Sequence, residues 1–298
     1  MSNIQKLAVL TSVNISKWSA EIVDRDVTAE VTAAKGAVKK GAKVTKSLFP
    51  GSTLLKEISD AADAARKVNR NQTMPFAHGV FLLPIKNLDR HQSKMEAHKD
   101  NFDALVEDFL GKYENHRAAQ QAKLGELFRA SDYPPVQAVR EKFKFRVSYQ
   151  VIPDGNQWDG MFNSVELEER MKREAEADLR QQFEDAQQHL WDRMHDVLER
   201  VATSCAAYGT YIDPVTGKEK KKGVFRNTML DNVKELVDVL PYLNVTEDDR
   251  IAKHCEEMRT KIAAYSCDQL RDNEALRKKD GQNASRILAD ITTYRSAS

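Results

Sequence analysis

Residues 163–201, NSVELEERMKREAEADLRQQFEDAQQHLWDRMHDVLERV, decide the fold class. Met171, Ala175, Leu179, Phe183, Ala186, Leu190, Met194, Val197 and Val201 recur there at spacings of three and four. That period lines them along one side of a helix of about ten turns. Asn163 with Glu166 has the pattern of a capping box at its start. So narrow an apolar stripe has the character of a coiled-coil seam and needs a second helix to cover it.

The upstream candidate is a helix over about 88–128. Phe102, Leu105, Val106, Phe109, Leu110 and Tyr113 repeat with the same period, Gly111 and Gly125 mark bends, and Tyr133-Pro134-Pro135 prevents continuation. Between the two helices, Phe143, Phe145, Val147, Tyr149 and Val151 alternate with Lys144, Arg146, Ser148 and Gln150. Period two is the signature of a strand, and Pro153-Asp154-Gly155 ends it. The expected architecture is therefore mainly α: a long antiparallel helical hairpin, or coiled-coil stalk, with a small β element (about 143–152) at its tip and a helical C-terminal bundle. The seam interface would join Phe102, Leu105, Val106, Phe109 and Tyr113 to Leu179, Phe183, Leu190, Met194 and Val197.

Outside this hairpin the signals are shorter. Leu7, Val9, Val13 and Ile15 suggest a strand, residues 27–46 a helix weakened by Gly36 and Gly41, and Ser52 or Thr53 the cap of a helix reaching about Val68. Asn69–Thr73 reads as a polar loop and Met74–Pro84 as a buried extended connector. After Gly209, Tyr211–Gly217 is a turn followed by Lys218, Lys220, Lys221 and Lys222, a candidate exposed hairpin. Three helices fit the tail: about 227–240, stopped by Pro241; about 247–265, capped by Thr246; and about 268–294, broken near Asp280-Gly281. The expected division is 1–84, 85–208 and 209–298, folding as one cooperative unit.

Of 298 residues, 31% are charged, yet the net charge is +1, so the whole chain is no polyelectrolyte binder. The charge is uneven. No acid falls between Glu30 and Glu57, where Lys35, Lys39, Lys40, Lys43, Lys46 and Lys56 lie, while residues 164–200 hold eleven acids against six bases. Attraction between the basic arm and the acidic helix accounts for this without a ligand. A nucleic-acid reading would instead use Lys35, Lys39, Lys40, Lys43, Lys46, Lys144, Arg146, Lys218, Lys220, Lys221 and Lys222 on phosphates. A membrane-active helical hairpin is a further alternative, although of the Trp, Phe and Leu that anchor interfacial helices residues 27–49 have only Leu48 and Phe49, at their end.

Enzymatic signals are missing. There is no phosphate-binding loop, dinucleotide fingerprint or nucleophile elbow. A di-iron site needs two Glu-x-x-His motifs, and Asp192-x-x-His195 is the single approximation; His91 and His98 lack further ligands. No catalytic residue, metal ligand or cofactor is expected. Cys205, Cys255 and Cys267 are odd in number and lack ligand spacing, which fits a reducing compartment. Without a signal-peptide pattern or an apolar run long enough to span a bilayer, the expected location is the cytoplasm.

The run Pro75-Phe76-Ala77-His78-Gly79-Val80-Phe81-Leu82-Leu83-Pro84 carries a resemblance, together with Phe102…Val106…Phe109-Leu110…Tyr113, Leu124-Gly125…Phe128…Asp132-Tyr133-Pro134 and Phe143-Lys144-Phe145. It resembles an uncharacterised phage and bacterial family of unknown function, mainly over residues 70–150. Members are often encoded near MoxR-type AAA ATPases and von Willebrand-like partners. The resemblance implies phage origin, action in the host bacterial cytoplasm, and an accessory role whose partner is another copy or an AAA ATPase. It brings no catalytic residues.

Overall fold

The computed structural model describes residues 4–38, 40–153 and 160–295. In chain order its elements begin with α1 (Ile4–Leu7), β1 (Ala8–Ser16), β2 (Glu21–Val23), α2 (Arg25–Ala34), β3 (Thr45–Ser47), α3 (Thr53–Gln72), β4 (Met74–Ala77) and β5 (Val80–Pro84). There follow α4 (Leu88–Gly111), α5 (Tyr113–Leu124), α6 (Val136–Arg140), β6 (Lys144–Gln150) and α7 (Val165–Ala207). The last are β7 (Gly209–Ile212), β8 (Glu219–Lys222), α8 (Asn227–Leu243), α9 (Asp249–Lys261), α10 (Cys267–Asp272) and α11 (Glu274–Arg295). The fold is mainly α with a small amount of antiparallel sheet.

The chain forms two compact units, partitioned differently from the expected three segments. The first holds Met1–Ser12, Asn69–His91 and Ser148–Ser298; the second holds Val13–Val68 and Gln92–Val147. The unit boundaries fall inside β1, α3, α4 and β6.

The first unit's core is largely aliphatic. Phe183, Ala186, Leu190, Met194, Leu198 and Val201 of α7 bury themselves with Leu230, Val233, Leu236 and Leu240 of α8 and Ala284, Ile287 and Ile291 of α11. The chief neighbour of α7 is α11, not the upstream helix expected for its seam. The two run antiparallel: Gly281 meets Cys205, and the ring of Tyr294 lies 5.5 Å from that of Trp191. A Cβ on Gly281 would come within 2.8 Å of the Cβ of Cys205, so the glycine allows close helix contact and does not break α11. Similarly α8 runs through Pro241 to Leu243, because the proline sits in its last turn, where few backbone bonds remain to be lost.

The second unit's core is aromatic. Phe102, Val106, Phe109 and Tyr113 pack with Trp18, Phe49, Tyr133, Phe143 and Phe145, the ring of Phe49 standing 5.7 Å from that of Phe109. The expected seam residues therefore divide between two cores, Phe102, Leu105, Val106, Phe109 and Tyr113 in one and Leu179, Phe183, Leu190, Met194 and Val197 in the other. One period of three and four identifies a buried helical face, but not the helix that buries it.

Smaller readings resolve in the same way. Gly111 is indeed a break, and Gly125, at φ +52°, ends α5. β6 is not a tip between helices: it lies beside β1 in a sheet of order β4-β5-β1-β6, where Phe143 and Phe145 point into the core. Asp154 and Gly155, read as its terminator, lie outside the described residues. Met74–Pro84 is a hairpin of β4 and β5 turning at Gly79, which takes φ +71°. Asn69–Gln72 extends α3, whose start Ser52 caps by accepting from Leu55 N at 3.3 Å. The caps of α7 and α9 are Ser164 and Asp248, each near the expected Asn163 and Thr246.

Candidate functional site

α7 is 43 residues long and its two halves are unlike. The hydroxyl of Ser164 accepts from Leu167 N at 3.3 Å, and Glu166 and Glu168 place negative charge at the positive end of the helix dipole. Ion pairs four residues apart, Glu168–Lys172 at 2.7 Å among them, support the first turns. No residue before Phe183 is buried, whereas Phe183, Ala186, Leu190, Trp191, Met194, Leu198, Val201 and Cys205 all are. The described part of α11 reaches α7 only in its second half, where Tyr294 meets Trp191. About five turns of α7, roughly 27 Å, precede its first buried residue, Phe183. Along them Leu167, Met171, Ala175 and Leu179 are only half-buried, and Val165 is 72% exposed.

The basic residues divide between the two units. Lys35, Lys40 and Lys43 are exposed in the second unit, Lys39 lies outside the described residues, and Lys144 and Arg146 are exposed on β6. Lys46 is no surface cation. It is buried, with Nζ 2.7 Å from Asp132, 3.1 Å from Asp24 and 2.8 Å from the carbonyl of Leu127. Burial alone would lower its pKa, but the two carboxylates carry it above the ordinary value. Lys218, Lys220 and Lys222 are exposed together in the first unit on the β7–β8 hairpin. The side chain of Lys221 lies outside the described residues.

A pocket of about 260 Å³ opens in the first unit beside Pro241, in the last turn of α8. A proline has no N–H, so the carbonyl of Val237, four residues earlier, loses its helical donor. Arg259 Nη2 donates to that oxygen at 2.7 Å and the thiol of Cys255 at 3.4 Å. Leu240, Ile251, Ala252 and Cys255 line the pocket with Lys86 and Arg259. Lys86 is paired with Glu247 and Arg259 with Glu256, and Asp249 adds a further carboxylate to the lining.

Two buried polar groups in the first unit carry no motif that sequence could flag. His91 Nε2 lies 2.9 Å from Asn69 Oδ1 and its Nδ1 lies 3.1 Å from the hydroxyl of Tyr149. The amide oxygen can only accept, so Nε2 carries the proton and the tyrosine donates to Nδ1. Burial holds the imidazole down at about 4, so it is neutral at ordinary pH. Asp280 of α11 is 1% exposed, neither carboxylate oxygen has a hydrogen-bond partner, and burial pushes its pKa up to about 7. The one trace of it in the sequence is its place in the row Arg277, Asp280, Ala284, Ile287, Ile291, an apolar-face spacing occupied by charge.

Other chemistry is weakly provided for among the described residues. Burial, followed by the charge of Asp280, raises the Cys205 thiol to about 12, which makes it a poor nucleophile. His195, Asp196 and Glu199 approach one another within 4.8 Å, but both acids are exposed on a single helical turn. Among the described residues no helix is long and apolar enough to cross a membrane. No family model, curated protein or solved structure matches the chain.

Proposed function

We propose that this chain is a non-enzymatic, phage-type assembly or adaptor protein working through protein–protein contacts, with the first half of α7 as its docking element. The observation that carries the reading is the contrast along α7: the apolar row Leu167, Met171 and Ala175 is only half-buried, whereas the same row is packed into the core from Leu179 onward. A helix left uncovered at such a row gains by accepting another amphipathic helix. The internal ion pairs keep it soluble and helical while it waits. A second copy is the simplest partner; the family resemblance adds an AAA ATPase.

Light scattering on the purified chain, alone and after co-expression with a MoxR-type ATPase, tests this. The expected result is a mass of at least twice 33.8 kDa, or a stable complex, either one lost in Leu167→Glu/Met171→Glu while helix content is kept. A strict monomer that binds no ATPase, or a complex indifferent to the double substitution, overturns it.

A further inference from the structure

The β7–β8 ribbon is built with unusual firmness for something nothing covers. Asp213 Oδ1 accepts from Val215 N at 2.8 Å and Thr216 N at 3.2 Å, Asp213 N donates to the carbonyl of Lys218 at 2.9 Å, and Gly217 takes φ +61°. At its root Gly223, at φ +79°, passes so close to Ala207 that a Cβ would come within 2.7 Å of the Ala207 carbonyl oxygen. Phe225 is buried there beneath Tyr208, ring centroids 5.4 Å apart, and Arg271 donates to its carbonyl. Beyond that root the side chains face outward: Ile212 is 73% exposed, and Val215 at the turn is 90% exposed. An isolated two-stranded ribbon is marginal in water, and exposed apolar side chains concentrated on one signal an interaction.

Register separates its faces. Directly opposed residues in an antiparallel pair project to the same side, and alternate residues of one strand share a side. Tyr211 opposes Lys220 and Gly209 opposes Lys222, so Tyr211, Lys220 and Lys222 share one face, where the turn acid Asp213 is already engaged by the Val215 and Thr216 N–H groups and by Lys220, while Glu219 opposes Ile212 on the other. Opposite Gly209 no cross-strand side chain shields Lys222. Neither Lys218 nor Lys222 has an acidic partner among the described residues; Lys220 pairs with Asp213 yet stays half exposed.

We infer that this hairpin is a nucleic-acid-binding arm that lays its Tyr211–Lys220–Lys222 face into a groove of duplex DNA, with Lys218, Lys220 and Lys222 on phosphates and Pro214-Val215 leading at the tip. Charge complementarity selects a polyanion. The ribbon form selects a duplex, since a groove admits a two-stranded ribbon and exposed aliphatic or proline side chains can wedge at base steps. A single strand would want a row of aromatics to stack on, and the ribbon carries Tyr211 alone. A membrane surface would want Trp, Phe or Leu where this arm has Ile212, Val215 and Val224. The inference is independent of the docking role given to α7.

Fluorescence anisotropy with a labelled duplex oligonucleotide, titrated across salt, tests it. Three phosphate contacts give a slope of log affinity against log salt of about −2.7, hence a loss of roughly 40-fold between about 50 and about 200 mM. Lys218→Gln/Lys220→Gln/Lys222→Gln is expected to flatten that slope by about 2.7 and to leave the melting temperature unchanged. Val215→Asp, which places a negative charge at the tip, is expected to weaken binding at low salt with the same melting temperature. No duplex binding at low salt, binding indifferent to the three lysines, or tighter binding to a single strand of equal length overturns the inference. Lysine-dependent binding to phosphatidylserine vesicles without duplex binding assigns the arm to membranes and overturns it too.

Discussion

The two units bury charge in opposite ways. In the second, Lys46 enters an aromatic core only with Asp24 and Asp132 beside it, and the Asp24 carboxylate is held low by the backbone N–H of Val27 as well as by the ammonium. In the first, Asp280 is buried near Cys205 with neither oxygen hydrogen-bonded among the described residues, and keeps its proton to about pH 7. A buried charge must be paired or neutralised. One unit pairs its charge by cross-linking segments far apart in sequence. The other neutralises its acid, and so makes its stability answer to pH.

The most damaging way to break this contrast is Lys46→Ala. It leaves two carboxylates facing each other without a cation, and removing one member of a buried charge set costs about 3–5 kcal/mol. Urea denaturation should show it as a large fall in midpoint, confined to the transition of the second unit if the units unfold separately.

Asp280 tests the other side. Its pKa is higher folded than unfolded, so its contribution to stability is complete below about 4 and is lost as pH rises through about 7. The loss approaches about 4 kcal/mol in mildly alkaline solution, because each tenfold difference in proton affinity between folded and unfolded chain is worth about 1.4 kcal/mol. Asp280→Asn should therefore gain on the parent chain as pH rises and lose that advantage towards pH 4, in denaturant titrations run at several pH values.

His91 has the reverse sign. Its folded pKa of about 4 lies below the unfolded value, so its contribution is whole above about 6.5 and disappears as pH falls through about 4. That amounts to about 3 kcal/mol. The acid limb of the stability profile should flatten in His91→Gln. Between about pH 4 and about 6.5 the two ramps have opposite signs and largely offset each other, so it is the single substitutions that separate them. The smallest effect expected is from Gly281→Ala, which crowds Cys205 and should cost about 1–3 kcal/mol by overpacking, visible as a lowered melting temperature.

Much of this was legible in the chain, and the failures share a cause. Periodicity located α4, α7, β6 and the C-terminal helices because each buries one face, and Gly111 and the Asp213–Gly217 turn declared themselves through backbone preference. What periodicity does not encode is the partner. The rows on α4 and α7 looked complementary, yet a row from Phe102 to Tyr113 suits any apolar surface, and the one that covers α7 came from α11, nearly ninety residues on. The same limit hid Lys46. Among six lysines without an intervening acid it read as solvated, while its partners sat in Asp24 and the distant Asp132. Pro241 and Gly281 were read as breakers because the rule for helix interiors ignores position in the last turn and the needs of a close neighbour.

The division of the chain also bears on the order in which it can fold during synthesis. Every residue of the second unit has been made once Val147 leaves the ribosome, with most of the first unit still to come. The first unit contains the start of β1 and the whole of β5 yet takes Ile287 and Ile291 into its core, so it stays open until α11 has been made. Its apolar surfaces must be carried exposed through that interval, and a truncation before α11 should leave a nascent chain with one finished unit and one that chaperones hold.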